Sequence, residues 1–481
     1  MNTAKSKRNT RVILVIFIAM FVVLSLYLAY SVTMYGSVYF SNPHNSRLTA
    51  AKKTIIPGDV LDRKGAKLAT SDEDGNRIYQ SSADARKASA SVVGDQRGMS
   101  SSGAESFMAS ELLGFDQGVW DRLSDLLAGR KKRGNDVALT VDAALNNTIY
   151  DAVKKYEGAA VVVQNYKTGE ILGSVSTPAF DPENLEEYIP QKDDSESVQA
   201  QKNKAGYFVN RVTKGKYTPG SVFKIVTTLA MLEAFPDANA RTYTCSGSYK
   251  VDDRTIVDAG RATHGKETLA EAFKHSCNIS YAQMGLELGA GPIDAMATKL
   301  GFGEAFLFDD ISVSSSSYVS PSKKSDLAWS SVGQYKDIMT PMHMNMITAA
   351  IANGGTMMVP KLCLKTINTR GEETRQLSPE VFKTPITAEQ AAALEGYMVE
   401  TVKSGTGTSA AIKGVTVAGK TGSAEVSENK ETATHAWFTG YIVDDSHPLA
   451  ITVIIEKGGS GGGVAAPIAK TALAKAMELG Y

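Results

Sequence analysis

The pattern of apolar and polar positions changes twice along the 481-residue chain. Residues 12–30 form an uncharged apolar run that is long enough to cross a bilayer as a helix. Residues 70–106 are rich in serine, aspartate, glycine and alanine, and they show little periodicity. After the basic, glycine-bracketed segment 129–134, apolar runs of strand and helix length alternate with turn signals. We therefore place a domain boundary at that segment, with a small domain over 32–136 and a larger one over 137–481.

The apolar run is interpreted as an uncleaved transmembrane signal anchor over residues 12–31. It is longer than the core of a usual secretory signal, which is the alternative, and no small-x-small cleavage site follows it. Four basic residues precede the run: Lys5, Lys7, Arg8 and Arg11. By the positive-inside rule, residues 1–11 form a cytoplasmic tail. The chain is thus expected to be a single-pass protein of the cell membrane with its larger domains outside.

Strands are predicted at both ends of the region after the boundary, with mostly helical pattern between them. The early strands are expected at 137–141, 158–164 and 170–175. The late strands are expected at 415–419, 436–443 and 449–456. A closing helix is predicted at 464–479, a surface loop at 183–204, and a short strand with a tight turn at 56–65. This order indicates an α+β fold in which early and late strands meet in one sheet.

Composition narrows the class of protein. Apolar residues make up 43% and charged residues 21% of the chain, as in globular proteins, and the formal net charge of zero gives no sign of a nucleic-acid partner. Three cysteines leave at least one thiol unpaired within the chain. Cys245 with Cys277 is one candidate disulfide, and three small buried hydrophobes are the alternative. The six histidines form no His/Cys cluster along the sequence, so no metal and no cofactor is predicted.

Candidate chemistry centres on a Pro-Gly turn that runs into Ser221. An apolar run of helical period follows, and Lys224 lies three residues further on, the spacing that places two side chains on one helix face. We therefore expect the amine of Lys224 to contact the hydroxyl of Ser221, as a serine nucleophile with a lysine base requires. Taken alone, the pattern S-x-x-K also fits a capping serine followed by a solvated lysine.

Two further motifs favour the catalytic interpretation. Ser276-Cys277-Asn278 stands at a predicted helix end or loop, and Lys420-Thr421-Gly422-Ser423 directly follows a predicted strand. The order S-x-x-K, S-x-N, K-T-G resembles that of the penicillin-binding proteins, specifically the class B D,D-transpeptidases. The resemblance covers roughly residues 137–481. Supporting matches are Ser176–Pro182, Gly333-Gln334, Thr340-Pro341-Met342 and, near the membrane, Ile56–Gly65.

The resemblance implies a role for each motif residue. Ser221 would be the nucleophile, Lys224 the base and Ser276 a proton relay. The amide of Asn278 would bind the substrate's peptide group. The substrate's terminal carboxylate would bind Lys420 and Thr421, while Gly422 would let the ligand lie against the strand edge. Backbone N–H groups of Ser221 and Ser423 would form an oxyanion hole.

The resemblance also implies a fold, substrates and partners. The fold would be a penicillin-binding or serine β-lactamase-like transpeptidase domain, an antiparallel sheet with flanking helices, after a membrane helix and a pedestal domain. The substrates would be peptidoglycan stem peptides, namely a D-Ala-D-Ala donor and an amine acceptor, with β-lactams as covalent inhibitors. A membrane glycosyltransferase would be the partner.

Two alternatives remain open at this point. A membrane-tethered D,D-carboxypeptidase or β-lactamase would use the same serine, but the class A hydrolase motif Glu-x-x-Leu-Asn does not occur between Ser276 and Lys420. A non-catalytic β-lactam-binding scaffold would be expected to have lost one of the three motifs, and all three are intact.

Overall fold

The computed structural model describes residues 3–40, 55–115, 127, 132–425 and 434–481. The strands, numbered in chain order, are β1 (Val60–Leu61), β2 (Lys67–Ser71), β3 (Arg77–Tyr79), β4 (Asp136–Leu139), β5 (Ala159–Asn165), β6 (Ile171–Thr177), β7 (Thr242–Cys245), β8 (Ser248–Val251), β9 (Arg254–Val257), β10 (Gly265–Thr268), β11 (Phe306–Leu307), β12 (Ser312–Val313), β13 (Met357–Met358), β14 (Cys363–Ile367), β15 (Glu373–Gln376), β16 (Val381–Lys383), β17 (Val417–Ala424), β18 (His435–Ile442) and β19 (Leu449–Ile455). The helices are α1 (Thr3–Phe40), α2 (Ala83–Val93), α3 (Ala104–Phe107), α4 (Ala109–Leu112), α5 (Ala143–Val153), α6 (Glu196–Ala205), α7 (Lys224–Ala234), α8 (Leu269–His275), α9 (Asn278–Leu288), α10 (Ala290–Leu300), α11 (Lys324–Ser330), α12 (Pro341–Ala352), α13 (Ala388–Ser404) and α14 (Ala466–Glu478).

A five-stranded antiparallel sheet forms the centre of the larger domain, in the order β17-β18-β19-β5-β6. It joins strands from early and late in the chain, as the sequence predicts. Both faces are covered: Val161 and Val163 pack in a cluster with α5 and α14, whereas Ala160 and Val162 pack in the cluster that contains α7 and α12. Because both faces are buried, the strands read as continuous apolar runs. Strand β17 lies at one edge, where its backbone is open to a ligand.

A second sheet of six strands has the order β15-β14-β4-β1-β2-β3. Strand β4 lies in this sheet, so the expectation that the strand at 137–141 shares a sheet with the late strands is wrong. The sheet takes strands from both sides of residue 136, and the division into a 32–136 pedestal and a 137–481 domain stays a prediction. Half of the predicted hinge at 129–134, residues 129–131, lies outside the described residues.

Two local predictions are wrong and one helix is not predicted, each for an identifiable reason. The predicted surface loop at 183–204 contains most of helix α6, which buries no residue and so carries no apolar stripe in its sequence. Helix α2 lies in the stretch with little periodicity, because the face that it buries is made largely of alanine and serine. Residues Lys420–Ser423 lie inside strand β17 and do not follow it. An edge strand with Lys, Thr, Gly and Ser at its centre has no strand signature in its composition.

The membrane anchor prediction rests on α1. Within the described residues, one helix segment is long and apolar enough to cross a bilayer, Arg11–Ser31, with a mean hydropathy of 3.0. This segment matches the predicted anchor in position and length.

Candidate active site

Ser221 lies in a single 3-10 turn, Gly220–Phe223, that leads directly into α7. The turn is anchored by Val222 and Phe223, both fully buried, while Ser221 is partly exposed. Apolar residues at helical spacing behind the turn point into the core, as the sequence predicts, and they hold the serine at the surface end of the helix.

Two glycines fix the position of this turn. The N–H of Gly220 donates to the carbonyl of Gly333 at 2.9 Å. Gly333 has φ +80°, and a Cβ built there would lie 2.1 Å from the Gly220 oxygen and 2.7 Å from the Phe223 Cβ. A side chain at Gly333 would therefore displace the Gly220 carbonyl, so the Gly333-Gln334 landmark lies directly against the nucleophile turn.

We expect Gly333→Ala to displace the turn and to reduce acylation of Ser221. The left-handed backbone costs about 1–2 kcal/mol, and the backbone clash adds about 1–3 kcal/mol. Gly303→Ala is the matched control, because Gly303 also has a positive φ (+87°) but has no atom within 4 Å of a built Cβ. Thermal unfolding and penicillin-labelling rates of the two variants measure the difference. Equal behaviour would contradict this account of the turn.

Ser276 lies between two buried amines. The Lys224 Nζ donates to the Ser276 carbonyl at 2.5 Å and to its Oγ at 3.4 Å, and the Lys420 Nζ donates to the same Oγ at 2.8 Å. Ser276 ends α8 in a left-handed conformation, φ +59°, which is uncommon for a residue with a side chain. This conformation lets one residue present both its carbonyl and its hydroxyl to the lysines.

The environment lowers the basicity of both amines. Burial lowers the pKa of Lys224 to about 8, although the charge of Asp258 acts in the opposite direction. Burial and the charge on Lys224 hold the pKa of Lys420 well below its usual range. Both side chains are 0% exposed and share one hydroxyl, so simultaneous protonation is unfavourable. A neutral amine can therefore exist in this site near physiological pH.

Both polar atoms of the Asn278 side-chain amide make hydrogen bonds. Its Oδ1 accepts a hydrogen bond from Lys224 Nζ at 2.8 Å, and its Nδ2 donates to the Val257 carbonyl at 3.0 Å. The backbone N–H of Asn278 donates to Asp258 Oδ1 at 3.1 Å. Asn278 thus orients Lys224, and one Nδ2 hydrogen remains for a ligand.

Strand β17 forms the opposite wall of the site. The Ser423 carbonyl accepts from the Gln334 side chain at 3.1 Å, on the open side of this edge strand. In an extended strand the N–H and C=O of one residue point the same way, so the Ser423 N–H also faces the open side. A Cβ at Gly422 would lie 3.1 Å from Val222 Cγ1 and 3.2 Å from the Pro219 carbonyl oxygen. Gly422 is therefore the point at which the strand and the nucleophile turn pack together.

The three motifs predicted from sequence converge in one place, with one correction. The expected contact between the Lys224 amine and the Ser221 hydroxyl is absent from the described structure, because the amine donates to Ser276 and Asn278. Lys420 is a residue of β17. Its side chain is fully buried, and its amine donates to the Thr421 carbonyl at 3.1 Å.

Two residues of the site were not found from the sequence. Asp258 holds the backbone of Asn278 and precedes it by 20 residues, without a motif that would mark it. Thr406 contacts Thr421 through its hydroxyl and belongs to the loop after α13, far from every motif in sequence. Contacts across such separations leave no periodic signal. In the sequence, the Gly-Thr-Gly at 405–407 is the feature that indicates a close approach of this loop to another part of the chain.

The three cysteines are buried free thiols, and Cys245 and Cys277 form no disulfide. The interpretation that the histidines join no His/Cys cluster is wrong in three dimensions. Cys245, His264, Glu267 and Cys277 place their ligand atoms within 4.8 Å of one another. Two thiolates, an imidazole and a carboxylate are a donor set that suits zinc. These side chains could hold a metal ion, which would cross-link the residues beside Ser276.

Comparisons with known proteins agree with this geometry. Residues 159–474 match the family model described as the penicillin-binding protein transpeptidase domain. The peptidoglycan D,D-transpeptidase PbpA of Mycolicibacterium smegmatis is 30% identical over 413 residues, covering 80% of this chain and 81% of that protein. PbpA of Mycobacterium tuberculosis is 31% identical over 384 residues, covering 74% of this chain and 75% of that protein.

Solved structures give the same result. The ceftriaxone acyl-enzyme complex of penicillin-binding protein A from M. tuberculosis superposes with a TM-score of 0.78 at 28% identity, covering 88% of this chain and 99% of that one. The D,D-transpeptidase domain from Eggerthella lenta superposes with a TM-score of 0.74 at 28% identity, covering 88% of this chain and 98% of that one.

A partly exposed serine in a turn that packs against the edge strand of an antiparallel sheet, with two buried lysines that share the Ser276 hydroxyl, is the arrangement of a serine acyltransferase. The chain belongs to the penicillin-binding protein transpeptidase family, as a class B penicillin-binding protein.

Proposed function

We propose that this class B transpeptidase cross-links peptidoglycan through an acyl-enzyme on Ser221. The donor is a stem peptide ending in D-Ala-D-Ala. Ser221 Oγ attacks the carbonyl carbon of the penultimate D-alanine, the C–N bond to the last D-alanine breaks, and that residue leaves. The amine of a second stem peptide then attacks the ester, forms the new peptide bond and releases Ser221. β-Lactams acylate the same serine.

Lys224 is the general base of the first step. It accepts the Ser221 proton as Oγ attacks, which requires the neutral amine that burial favours. Ser276 passes a proton from the lysine pair to the departing amine, since its hydroxyl accepts from Lys420 and lies 3.4 Å from Lys224. In the second step the acceptor amine loses its proton and Ser221 regains one, so the site returns to its starting state. Asn278 keeps Lys224 in place and offers its remaining N–H to the peptide group of the substrate.

The oxyanion hole consists of the backbone N–H groups of Ser221 and Ser423. The Ser221 N–H is at the start of a turn that leads into α7, and the Ser423 N–H faces the open edge of β17. Each such donor is worth about 3 kcal/mol to the transition state. Lys420 and Thr421 provide the positive charge and the hydroxyl for the terminal carboxylate of the donor.

The contact of Ser276 with both buried amines is the observation that carries this proposal. The test is incubation with a labelled penicillin followed by peptide mapping. We expect one adduct per chain on the peptide that contains Ser221, with negligible hydrolysis over minutes. Rapid turnover of the drug would identify a β-lactamase, and an adduct on another residue would show that the nucleophile is wrong.

The membrane anchor determines the side of the membrane on which the proposed reaction takes place. The basic residues before the apolar run favour a cytoplasmic N-terminus, with the catalytic domain outside the membrane. We further propose that the span and the 32–136 pedestal contact a membrane glycosyltransferase, which would supply the glycan strands to be cross-linked. Pull-down of the full-length protein from membranes should recover such an enzyme, and its absence from every preparation would argue against the partner.

A further inference from the structure

One residue of the Gly333-Gln334 landmark has no role in the proposed mechanism, although it lies between two parts of the site. The Gln334 side chain is half-buried beside the end of β17. Its Nε2 donates to the Ser423 carbonyl at 3.1 Å, and its Oε1 accepts from the Glu425 N–H at 3.3 Å. The side-chain amide thus pairs with the open edge of β17 as the peptide groups of a neighbouring strand would.

The backbone of the same landmark holds the nucleophile turn. The Gly333 carbonyl accepts from the Gly220 N–H at 2.9 Å, and Gly220 directly precedes Ser221. Gly333 and Gln334 are themselves fixed to the end of α11, because their N–H groups donate to carbonyls there at 2.7 and 3.2 Å. Two consecutive residues therefore connect the turn that carries Ser221 to the strand that carries Ser423.

The turn and the strand lie in contact where this connection joins them. A Cβ built at Gly220 would lie 2.9 Å from the Ser423 carbonyl oxygen, which is also the oxygen that accepts from Gln334. Because β17 is an edge strand, β18 fixes it on one side only, and Gln334 supplies hydrogen bonds on the other. The separation between the backbone N–H groups of Ser221 and Ser423 therefore depends on Gln334.

This separation affects the reaction because the two N–H groups form the proposed oxyanion hole. Each must lie about 2.7–3.1 Å from the oxygen of the tetrahedral intermediate. A misplacement of about 1 Å can lower the rate of an enzymatic reaction by about 100-fold. The negative charge develops on this oxygen during acylation and not during the initial binding of the ligand. A wrong separation should therefore slow the chemical step and leave the initial binding unchanged.

We propose that Gln334 is a positioning residue that sets the separation of the two oxyanion-hole donors, the backbone N–H groups of Ser221 and Ser423. This inference rests on the proposed function and deepens it. Gln334 acts through the backbone that it holds. Its side-chain amide fixes the open side of β17, and the carbonyl of the residue before it fixes the nucleophile turn.

Gln334→Met tests the inference, because methionine keeps the length of the side chain and removes both hydrogen bonds. Stopped-flow reaction of the full-length protein with a chromogenic β-lactam, over a range of concentrations, separates the dissociation constant of the initial complex from the acylation rate constant. We expect the rate constant to fall about 10- to 100-fold, with the dissociation constant within about twofold of its original value. A smaller folded fraction would reduce the amount of acylated protein but not the rate constant of the molecules that react.

A second measurement reports on the oxyanion hole directly. An acyl-D-boroalanine forms a bond between Ser221 Oγ and boron, with loss of the serine proton, and the tetrahedral boronate places an oxygen where the oxyanion would lie. Transition-state analogues of this kind depend on the same donors as the reaction. The affinity of the boronate should therefore fall in Gln334→Met by about the same factor as the acylation rate constant.

Gln283→Met is the matched control, because Gln283 pairs with a strand backbone in the same manner, outside the site. Its Nε2 donates to the Thr244 carbonyl at 2.8 Å, and its Oε1 accepts from the Thr244 N–H at 3.3 Å. This variant should keep both constants and the boronate affinity of the unmodified protein. Equal losses in the two variants would show a general effect of losing such a pair and would overturn the inference.

Three other results would also overturn it. They are an unchanged acylation rate constant in Gln334→Met, a change in the dissociation constant alone, and faster acylation, which would mean that the amide competes with the ligand for the Ser423 carbonyl. Failure of the proposed function has a different signature. In that case the unmodified protein would not be acylated at Ser221, whereas normal acylation of the unmodified protein beside any of these results would reject only the role of Gln334.

Discussion

Replacing Ser221 by alanine should abolish covalent labelling by penicillin and leave the protein folded and membrane-inserted. The hydroxyl supplies the atom that forms the ester. The expected loss of acylation is on the order of 10⁶-fold. The side chain is partly exposed and makes no hydrogen bond within the described residues, so its removal should change the free energy of unfolding by less than about 0.5 kcal/mol.

The measurement combines gel fluorescence of the labelled chain with thermal unfolding of the same preparation. Ser404→Ala is a suitable control, since Ser404 is an exposed serine at the end of α13, outside the site. It should be labelled like the unmodified protein. If Ser221→Ala still formed a stable adduct, another residue would be the nucleophile and the proposed mechanism would have to be abandoned.

The sequence predicts the site better than it predicts the fold around it. Lys224, Ser276 and Lys420 stand in short sequence motifs, and the structure brings all three together. The partners of these residues are set by tertiary packing. Asp258 and Thr406 reach the site from separate elements, and nothing in their local sequence distinguishes them from surface residues. The same reason explains the Cys245 and Cys277 cluster, which forms only when β7 and the turn before α9 meet.

Secondary structure shows the same division. Strands β5, β18 and β19 bury both faces, so their apolar runs identify them. Helix α6 and strand β17 have few apolar residues, and their structure depends on helix capping and on strand pairing. Helix α6 begins at the capping residue Ser195, and β17 pairs with β18 over its full length. A pattern of apolar residues identifies neither element, because α6 buries no residue and β17, although buried at seven of its eight positions, consists largely of small and polar residues.

Replacing Lys224 by alanine should slow acylation by about 10²- to 10⁴-fold, the usual contribution of a general base. Ser221 would remain, but the amine that we propose as its base would be missing. Lys214→Ala is a matched control, because burial also lowers the pKa of Lys214 and its amine contacts Ser312, outside the site. It should leave the acylation rate within about twofold of the unmodified protein. Stopped-flow acylation by a chromogenic β-lactam gives the rates, and equal losses in the two variants would argue against a specific base.

The pH dependence identifies which of the two buried amines is that base. With the pKa of Lys224 at about 8, the neutral fraction falls about tenfold for each pH unit below it. The acylation rate should therefore rise with a slope of one up to about pH 8 and then level off. This inflection should vanish in Lys224→Ala and persist in Lys420→Ala, whose slower reaction would come from the lost hydrogen bond to Ser276 Oγ. The reverse pattern would assign the base to Lys420. Chain position favours Lys224, because it directly follows the nucleophile turn and its amine donates to Ser276 and Asn278, whereas Lys420 lies on β17 and its amine donates to Ser276 Oγ.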